Sequence, residues 1–188
     1  MAFVVIYDAC VLHPELLRNF LLRIAQKGIV RARWTSKILD ETFDSLQKRR
    51  PDLDPQKLQR TRERIIGAVP DCLVEGYETI VDGLLLPDPN DRHVLAAAIR
   101  AGAQSIVTFN LRDFPDAMLA RYDIEPRHPD DFVADQLGLA PGLIVNVVLE
   151  LAQSLNKPRM SVADLLARLR DQGLGQSVAK LNELFGVA

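Results

Sequence analysis

The sequence predicts an α/β fold: a doubly wound, three-layer α/β/α domain built on a parallel sheet, followed by an all-helical C-terminal extension. Short apolar runs rich in β-branched residues, at residues 3–7 and 105–109, are typical of strands buried on both faces. Segments with helical spacing of apolar residues separate these runs, and such alternation is typical of βαβ units. From residue 129 onward the spacing is helical throughout. We therefore divide the chain into a sheet domain at residues 1–131 and an extension at residues 132–188.

Five elements are expected in the first 70 residues. The strand at residues 3–7 stops at Asp8, and the apolar periodicity after it predicts a helix from about Pro14 to Gly28. Residues 29–34 alternate apolar and basic side chains, which predicts a second strand. Two more helices follow, one capped by Thr35 or Ser36 and ended before Pro51, and one that starts at Asp54 and Pro55 and ends at Gly67 and Pro70.

The rest of the sheet domain is expected to be organised around residues 84–115. Pro87 and Pro89 exclude a continuing helix, because proline fixes its own φ and pushes the preceding residue out of the α region. A helix is expected after Asp91 with Gly102 at its C-cap. Weaker patterns predict a short strand at 72–74, a short helix or irregular segment at 77–85, a short helix at 115–122 and an edge strand at 124–126.

The extension is predicted to be entirely helical. Its apolar spacing indicates a helix pair up to Leu155, then helices around residues 162–169 and 178–185, with breaks at Pro158 and Gly173. Apolar stripes of this kind need a cover, so we expect the extension to pack on the sheet domain, on a second copy of the chain or on a partner.

Composition excludes an overall basic field and gives no sign of membrane insertion. The 188 residues are 48% hydrophobic and carry a formal net charge of -2, so nucleic acid could be bound only through a local patch. Cys10 and Cys72 are too few and too far apart for a disulfide framework or a zinc site. The apolar run at residues 3–7 is too short for a signal peptide or a membrane span. We expect a cytoplasmic protein.

Five acidic residues are expected at strand ends or helix starts, where a parallel sheet would gather side chains at one edge: Asp8, Glu41, Asp88, Asp91 and Asp113. Two carboxylates ~4 Å apart repel by roughly 4 kcal/mol at an effective dielectric near 20. Either their pKa values rise or a divalent ion lies among them. Oxygen ligands without a His or Cys pattern favour Mg²⁺ or Mn²⁺ over zinc, and such an ion supports hydrolysis of phosphodiesters.

The segments that carry these acids resemble the acidic motifs of PIN-domain ribonucleases, and of the bacterial VapC-like toxins in particular. They are VVIYDACVL, WTSKILDET, LPDPNDRHVLAAA and TFNLRDF, in this order, within residues 1–131. The resemblance implies a Mg²⁺- or Mn²⁺-dependent endoribonuclease that acts on single-stranded RNA, a cognate antitoxin protein as partner and frequent homodimers. Matched motif by motif, Asp8, Glu41 and Asp91 are the metal-binding acids, and Asp88 is an extra acid found in some members.

Two positions depart from the family pattern. Cys10 stands two residues after the first acid, where many members have Asn, Ser or Thr. Asn110 stands where a fourth acid is common. Its amide oxygen could bind a metal without charge, and Asp113 could supply the carboxylate instead, so the fourth position stays open between these two residues.

The resulting hypothesis assigns each candidate a role. The catalytic acids are Asp8, Glu41, Asp91 and Asp113. The metal ligands are the same four residues together with Asp88. The substrate contacts are Thr108, Asn110 and Arg112.

The candidates also have structural interpretations. Asp91 could be only a helix N-cap, and Glu41 only a solvated helix residue. Thr108 either orients a catalytic water or ends a strand. The basic residues either track an RNA backbone or form a solvated helix face; they are Lys48, Arg49, Arg50, Arg60, Arg62 and Arg64. We interpret three histidines as structural or surface residues, because their spacing fits no metal site: His13, His93 and His128.

Two alternative functions remain open. A phosphatase of the haloacid-dehalogenase type also places Asp at the end of its first strand, but it needs a second Asp where this chain has Cys10. A catalytically degenerate PIN fold, used for RNA binding or protein interaction, would account for Cys10 and Asn110.

Overall fold

The computed structural model describes residues 3–155 and 159–186. Within these ranges, parallel strands form one sheet in the order β2-β1-β3-β4. They are β1 (Phe3–Tyr7), β2 (Val30–Arg33), β3 (Ser105–Val107) and β4 (Glu125–Arg127). The chain winds outward from β1 in both directions, to β2 on one side and to β3 and β4 on the other. The topological switch point, where α/β sheets bind ligands, therefore lies between the carboxyl ends of β1 and β3.

Helices flank the sheet, so the predicted doubly wound α/β fold is confirmed. Right-handed crossovers that leave β1 in opposite directions place their helices on opposite faces of the sheet. The helices of the sheet domain are α1 (Ala9–Leu12), α2 (Glu15–Gln26), α3 (Ser36–Arg49), α4 (Pro55–Ala68), α5 (Glu78–Val81), α6 (Arg92–Ala101) and α7 (Asp116–Leu119). Short 3₁₀ turns cover Pro89–Asp91, Leu111–Asp113 and Ala120–Tyr122.

Two predicted elements differ in the structure. The strand predicted at residues 72–74 is reduced to one parallel bridge between Trp34 and Leu73, held by hydrogen bonds from the Trp34 and Val74 amides. The long helix predicted from Pro14 is preceded by the separate α1, whose first amide is capped by Asp8. A helix of four residues is too short for apolar periodicity to reveal.

The extension is helical, as predicted. It consists of α8 (Pro129–Leu139), α9 (Pro141–Ser154), α10 (Val162–Asp171) and α11 (Gly175–Phe185). The predicted break at Gly173 is confirmed by its φ of +98° between α10 and α11, whereas the break predicted at Pro158 lies outside the described residues.

The extension shares one apolar core with the sheet. The Phe132 ring packs edge-on against Tyr7 of β1, with ring centroids 6.0 Å apart. Lys27 after α2 forms an ion pair of 2.6 Å with Glu150 of α9. The division of the chain at residues 131 and 132 stays a prediction.

Within the described ranges, no single helix is long and apolar enough to cross a membrane. The pair α8 and α9 reaches that length only across a bend of 118°. The large apolar residues of both helices are mostly buried in the core.

Candidate active site

Asp8 lies at the carboxyl end of β1, in the middle of a polar network. Its side chain is 6% exposed. Asp8 Oδ1 accepts a hydrogen bond of 2.7 Å from the Ala9 amide, and Oδ2 accepts one of 2.8 Å from Thr108 Oγ1 at the end of β3. The two neighbouring strand ends of the switch point are thus joined through this carboxylate, which has a fixed orientation.

Cys10 takes part in the same network. Its thiol donates to Asp8 Oδ2 at 3.1 Å, lies 3.3 Å from Thr108 Oγ1 and accepts a hydrogen bond from the Phe109 amide. Burial raises the pKa of the thiol to about 12, with the Asp8 charge adding to the effect. Cys10 is therefore a neutral hydrogen-bonding group here, and it supplies the polar contact that a Ser or Thr would make.

Asp91 lies at the start of α6, and its carboxylate is not used to cap that helix. Asp91 occupies the N-cap position of α6 but makes no side-chain capping hydrogen bond. The capping contact of this segment comes instead from Asp88, whose carboxylate accepts a hydrogen bond of 2.8 Å from the Asn90 amide. The purely structural interpretation of Asp91 as a helix cap is therefore not supported.

Glu41 on α3 faces His93, a residue interpreted from the sequence as structural or surface. Its Oε1 lies 2.9 Å from Nε2 of His93, whose ring is 2% exposed. This close contact is not a hydrogen bond by geometry. Neither ring nitrogen of His93 has a hydrogen-bond partner among the described residues. Glu41 itself is 40% exposed at the side chain, so it can turn toward other groups.

The residues after β3 occupy three different environments. Thr108 is fully buried, with its hydroxyl bonded to Asp8 and to the Asn110 amide. Thr108 thus positions Asp8 in this structure, and its contact with substrate stays a prediction. Asn110 is exposed and lines the cavity described below. Arg112 is 89% exposed and lies 3.7 Å from Asp113, so its contact with substrate stays a prediction.

One cavity of about 390 Å³ joins the main candidates. Its wall includes Asp8, Glu41, Asp91 and Asn110, from four separate parts of the chain. Asp88 and Asp113 are outside that wall, yet their charges act on Asp91. The pKa of Asp91 is raised to about 6, mainly by burial and then by the negative charges of Asp8, Asp88 and Asp113. His93 lowers this pKa and so offsets part of the rise. We call this space the carboxylate cavity.

The carboxylate cavity fits a hard divalent ion by donor type but not by preformed geometry. Within the described ranges, no three His, Cys, Asp or Glu side chains lie close enough to hold an ion as they stand. The candidate ligands nevertheless all offer oxygen atoms, and the pKa of Asp91 is raised first by burial and then by the negative charges of Asp8, Asp88 and Asp113. A bound cation would relieve that repulsion once Glu41 turned away from His93.

The raised pKa of Asp91 predicts how stability depends on pH in metal-free buffer. With a folded-state pKa of about 6 against an ordinary value of 3.8, the stability linked to protonated Asp91 is present below about pH 4 and is lost as the pH rises through about 6. Asp91→Asn should therefore raise the free energy of unfolding by about 1 kcal/mol near pH 7.5, after allowance for solvent screening, and by little near pH 4. Urea unfolding in EDTA at both pH values measures the difference.

The matched control for this experiment is Asp82→Asn, which changes an exposed Asp after α5. It should leave unfolding unchanged at both pH values. An equal effect of Asp91→Asn at the two pH values would contradict the crowding of negative charge around Asp91.

Three residues of this region were given no place in the catalytic site from the sequence. His93 was interpreted as a structural or surface residue, and its position four residues before Ala97, on the apolar stripe of α6, was an available signal of burial. His13 and Arg49 also line the carboxylate cavity. No sequence pattern distinguishes Arg49 from its basic neighbours, because the rotation of α3 about its axis is set by packing.

Comparison with known proteins gives two matches to family models. A PIN-domain model matches residues 4–112, and a model of the VapC50 C-terminal domain matches residues 129–183. A Mycobacterium tuberculosis protein named "Putative ribonuclease VapC50" is 44% identical over 95 residues, which is 50% of this chain. The aligned part covers 56% of that relative's length. No solved structure gives a significant match. The chain belongs to the PIN-domain family.

Proposed function

We propose that the protein is an endoribonuclease of the VapC-like toxin type that hydrolyses single-stranded RNA with the help of Mg²⁺ or Mn²⁺. The observation that carries the proposal is the carboxylate cavity: Asp8 after β1, Glu41 on α3 and Asp91 before α6 line one space at the switch point of a PIN fold. The name of the M. tuberculosis relative supports ribonuclease activity.

The proposed metal ligands are Asp8, Glu41 and Asp91, with Asp88, Asp113 and Asn110 at the periphery. When bound there, a divalent ion supplies charge that polarises a phosphodiester and acidifies water. Asp8 is suited to a fixed ligand position, because Ala9 and Thr108 hold both of its oxygens. Glu41 is more exposed than Asp8, and its Oε1 lies 2.9 Å from the buried ring of His93.

The reaction is hydrolysis with in-line attack of water on phosphorus. The bond between phosphorus and the 3′ oxygen breaks, the 3′ oxygen takes up a proton, and the products carry a 5′-phosphate and a 3′-hydroxyl. The attacking water gives up its proton to solvent. Asp91 serves as a proposed metal ligand and not as the base, because a bound cation would remove the repulsion that helps to raise its pKa to about 6 in the metal-free protein. Asn110 and Arg112, near the end of β3, are the proposed contacts to the RNA.

The biological setting is part of the proposal. The resemblance to VapC-like toxins supports a cognate antitoxin protein, a cytoplasmic location, where RNA is the substrate, and assembly into homodimers.

One observation favours the degenerate-module alternative: Glu41 Oε1 lies 2.9 Å from Nε2 of His93. The phosphatase alternative is weakened, because the position that needs its second Asp holds the neutral thiol of Cys10.

Incubation of the purified protein with a labelled single-stranded RNA of mixed sequence tests the proposal. We expect cleavage in Mg²⁺ or Mn²⁺, none in EDTA, and products with 5′-phosphate ends by adaptor ligation. An aryl phosphate in parallel tests for phosphatase activity. RNA binding without cleavage in either metal would favour the degenerate module, and turnover of the aryl phosphate alone would favour the phosphatase.

A further inference from the structure

The structure separates the basic residues at the end of α3 and along α4 into different environments. Arg50 forms an ion pair of 2.7 Å with Asp52, and Arg62 is paired with Asp40. Arg64 lines a different cavity, beside α2. Lys48 and Arg60 are exposed and lie outside the carboxylate cavity, whereas Arg49 lines it. Of these six residues, Arg49 is thus the one placed at the proposed site.

Arg49 shares its part of the wall with His13. The Nε2 atom of His13 is buried and has no hydrogen-bond partner among the described residues. Burial and the positive charges of Arg49 and Arg18 lower the pKa of His13, so its ring is neutral at neutral pH and can donate one hydrogen bond. An unsatisfied polar atom next to a cavity indicates a missing partner.

Arg18 adds positive charge behind this wall. It is a buried residue of α2. Its Nη1 donates a hydrogen bond of 2.8 Å to the carbonyl of Leu12, the residue before His13. The turn that carries His13 is therefore fixed from behind, and the carboxylate cavity has acids on one part of its wall and cationic or donor groups on another.

An RNA backbone that enters the carboxylate cavity needs such groups. Without a counter-charge, a backbone phosphate beside the carboxylates of this cavity is repelled by them. A guanidinium offers a fork of donors that fits two phosphate oxygens, and a neutral imidazole adds a further donor.

We propose that Arg49 and His13 form a subsite for an RNA backbone phosphate next to the scissile one. This inference rests on the proposed nuclease function and adds a substrate-binding surface to it. Arg49 binds the non-bridging oxygens through its fork, and His13 donates to the same phosphate once its ring turns to bring the buried Nε2 to the cavity surface. The subsite acts in substrate binding and not in bond cleavage.

Binding is measured with a fluorescein-labelled single-stranded RNA of mixed sequence, in an Asp8→Asn background that prevents cleavage. We expect Arg49→Ala to weaken binding about tenfold, and to reduce the slope of log affinity against log salt by about 0.7, the value for one phosphate contact on a single strand. Arg49→Lys, which keeps the charge without the fork, should lie in between. His13→Ala should weaken binding about threefold.

The matched controls are Lys48→Ala and Arg60→Ala, which remove the same charge outside the carboxylate cavity. Each should change affinity less than about twofold. In otherwise wild-type protein, Arg49→Ala should raise KM about tenfold and leave kcat within about threefold. Arg49 is exposed, so its replacement should leave thermal unfolding unchanged.

Equal effects of Arg49→Ala and Lys48→Ala on affinity and KM would overturn the subsite while leaving the nuclease proposal intact. A wild-type protein that neither binds nor cuts the RNA would overturn the nuclease proposal, and the subsite with it.

Discussion

Asp8→Asn is expected to lower RNA cleavage by roughly 10²- to 10³-fold, the scale on which removal of one electrostatic group at a reacting centre lowers kcat. The substitution removes the negative charge of the most buried proposed metal ligand. It keeps the shape of the side chain and the acceptor for the Ala9 amide. The new amide group would face Thr108 Oγ1 and Cys10 Sγ, both of which can rotate to accept a hydrogen bond.

The fold should survive this change, with a free energy of unfolding within about 1 kcal/mol of wild type, since loss of one charge-assisted hydrogen bond is offset by removal of a buried charge. Cleavage rates in Mg²⁺ and urea unfolding are measured on the same preparation. Asp44→Asn, an exposed change on α3 three residues after Glu41, is the matched control and should retain full activity. Full activity of the Asp8→Asn protein would reject Asp8 as a ligand.

The strand ends of the site could be predicted from the sequence because they follow from local rules. A run of apolar residues that stops at Asp8 has few structural explanations other than the end of a buried strand. Gly102 was placed correctly as the C-cap of α6, where its φ is +60°. Parallel topology then requires the ends of β1 and β3 to meet at one edge.

The contacts of the helices could not be predicted in the same way. Glu41 and Arg49 lie on α3, whose rotation is fixed by the burial of Ile38, Leu39 and Phe43. Only that rotation decides that Glu41 faces His93 and that Arg49 reaches the carboxylate cavity. Such pairings depend on tertiary packing, which a single sequence does not specify residue by residue.

The role of the extension was equally hidden from the sequence, because it depends on a contact between Gly173 and Phe109, 64 positions earlier in the chain. A Cβ at Gly173 would lie 3.0 Å from Phe109 Cε1. On another side the Phe109 ring packs edge-on against His128, with ring centroids 5.2 Å apart. The Phe109 amide donates to Cys10 Sγ. The extension therefore supports a residue that lies between Thr108 and Asn110 in the wall of the carboxylate cavity.

Asp130 fixes this support. Its carboxylate accepts hydrogen bonds of 2.7 and 2.8 Å from the Gln176 and Ser177 amides, which are free donors at the start of α11. The Asp130 amide in turn donates to Nδ1 of His128. Asp130 thus links the start of α11, which follows the turn at Gly173, to the His128 ring.

Gly173→Ala is expected to lower the free energy of unfolding by about 2–3 kcal/mol, because a φ of +98° is strained for alanine and the new methyl group must displace Phe109. Displacement of Phe109 should also lower kcat about tenfold at temperatures where the protein stays folded, since small errors of position at a reacting centre are costly. Urea unfolding and RNA cleavage measure the two effects.

Substitutions at two other glycines separate the effect of backbone strain from the effect of the contact with Phe109. Gly102→Ala introduces a side chain at positive φ with open space around it and should cost about 1 kcal/mol without loss of kcat. Gly138→Ala, in the exposed part of α8 with open space, should be neutral or stabilise by up to about 1 kcal/mol. In the Gly173→Ala background, Phe109→Leu should recover part of the stability, because a smaller side chain relieves the contact. If Gly173→Ala behaved like Gly102→Ala in stability and kcat, the extension would be a cover for the sheet and not a support for the site.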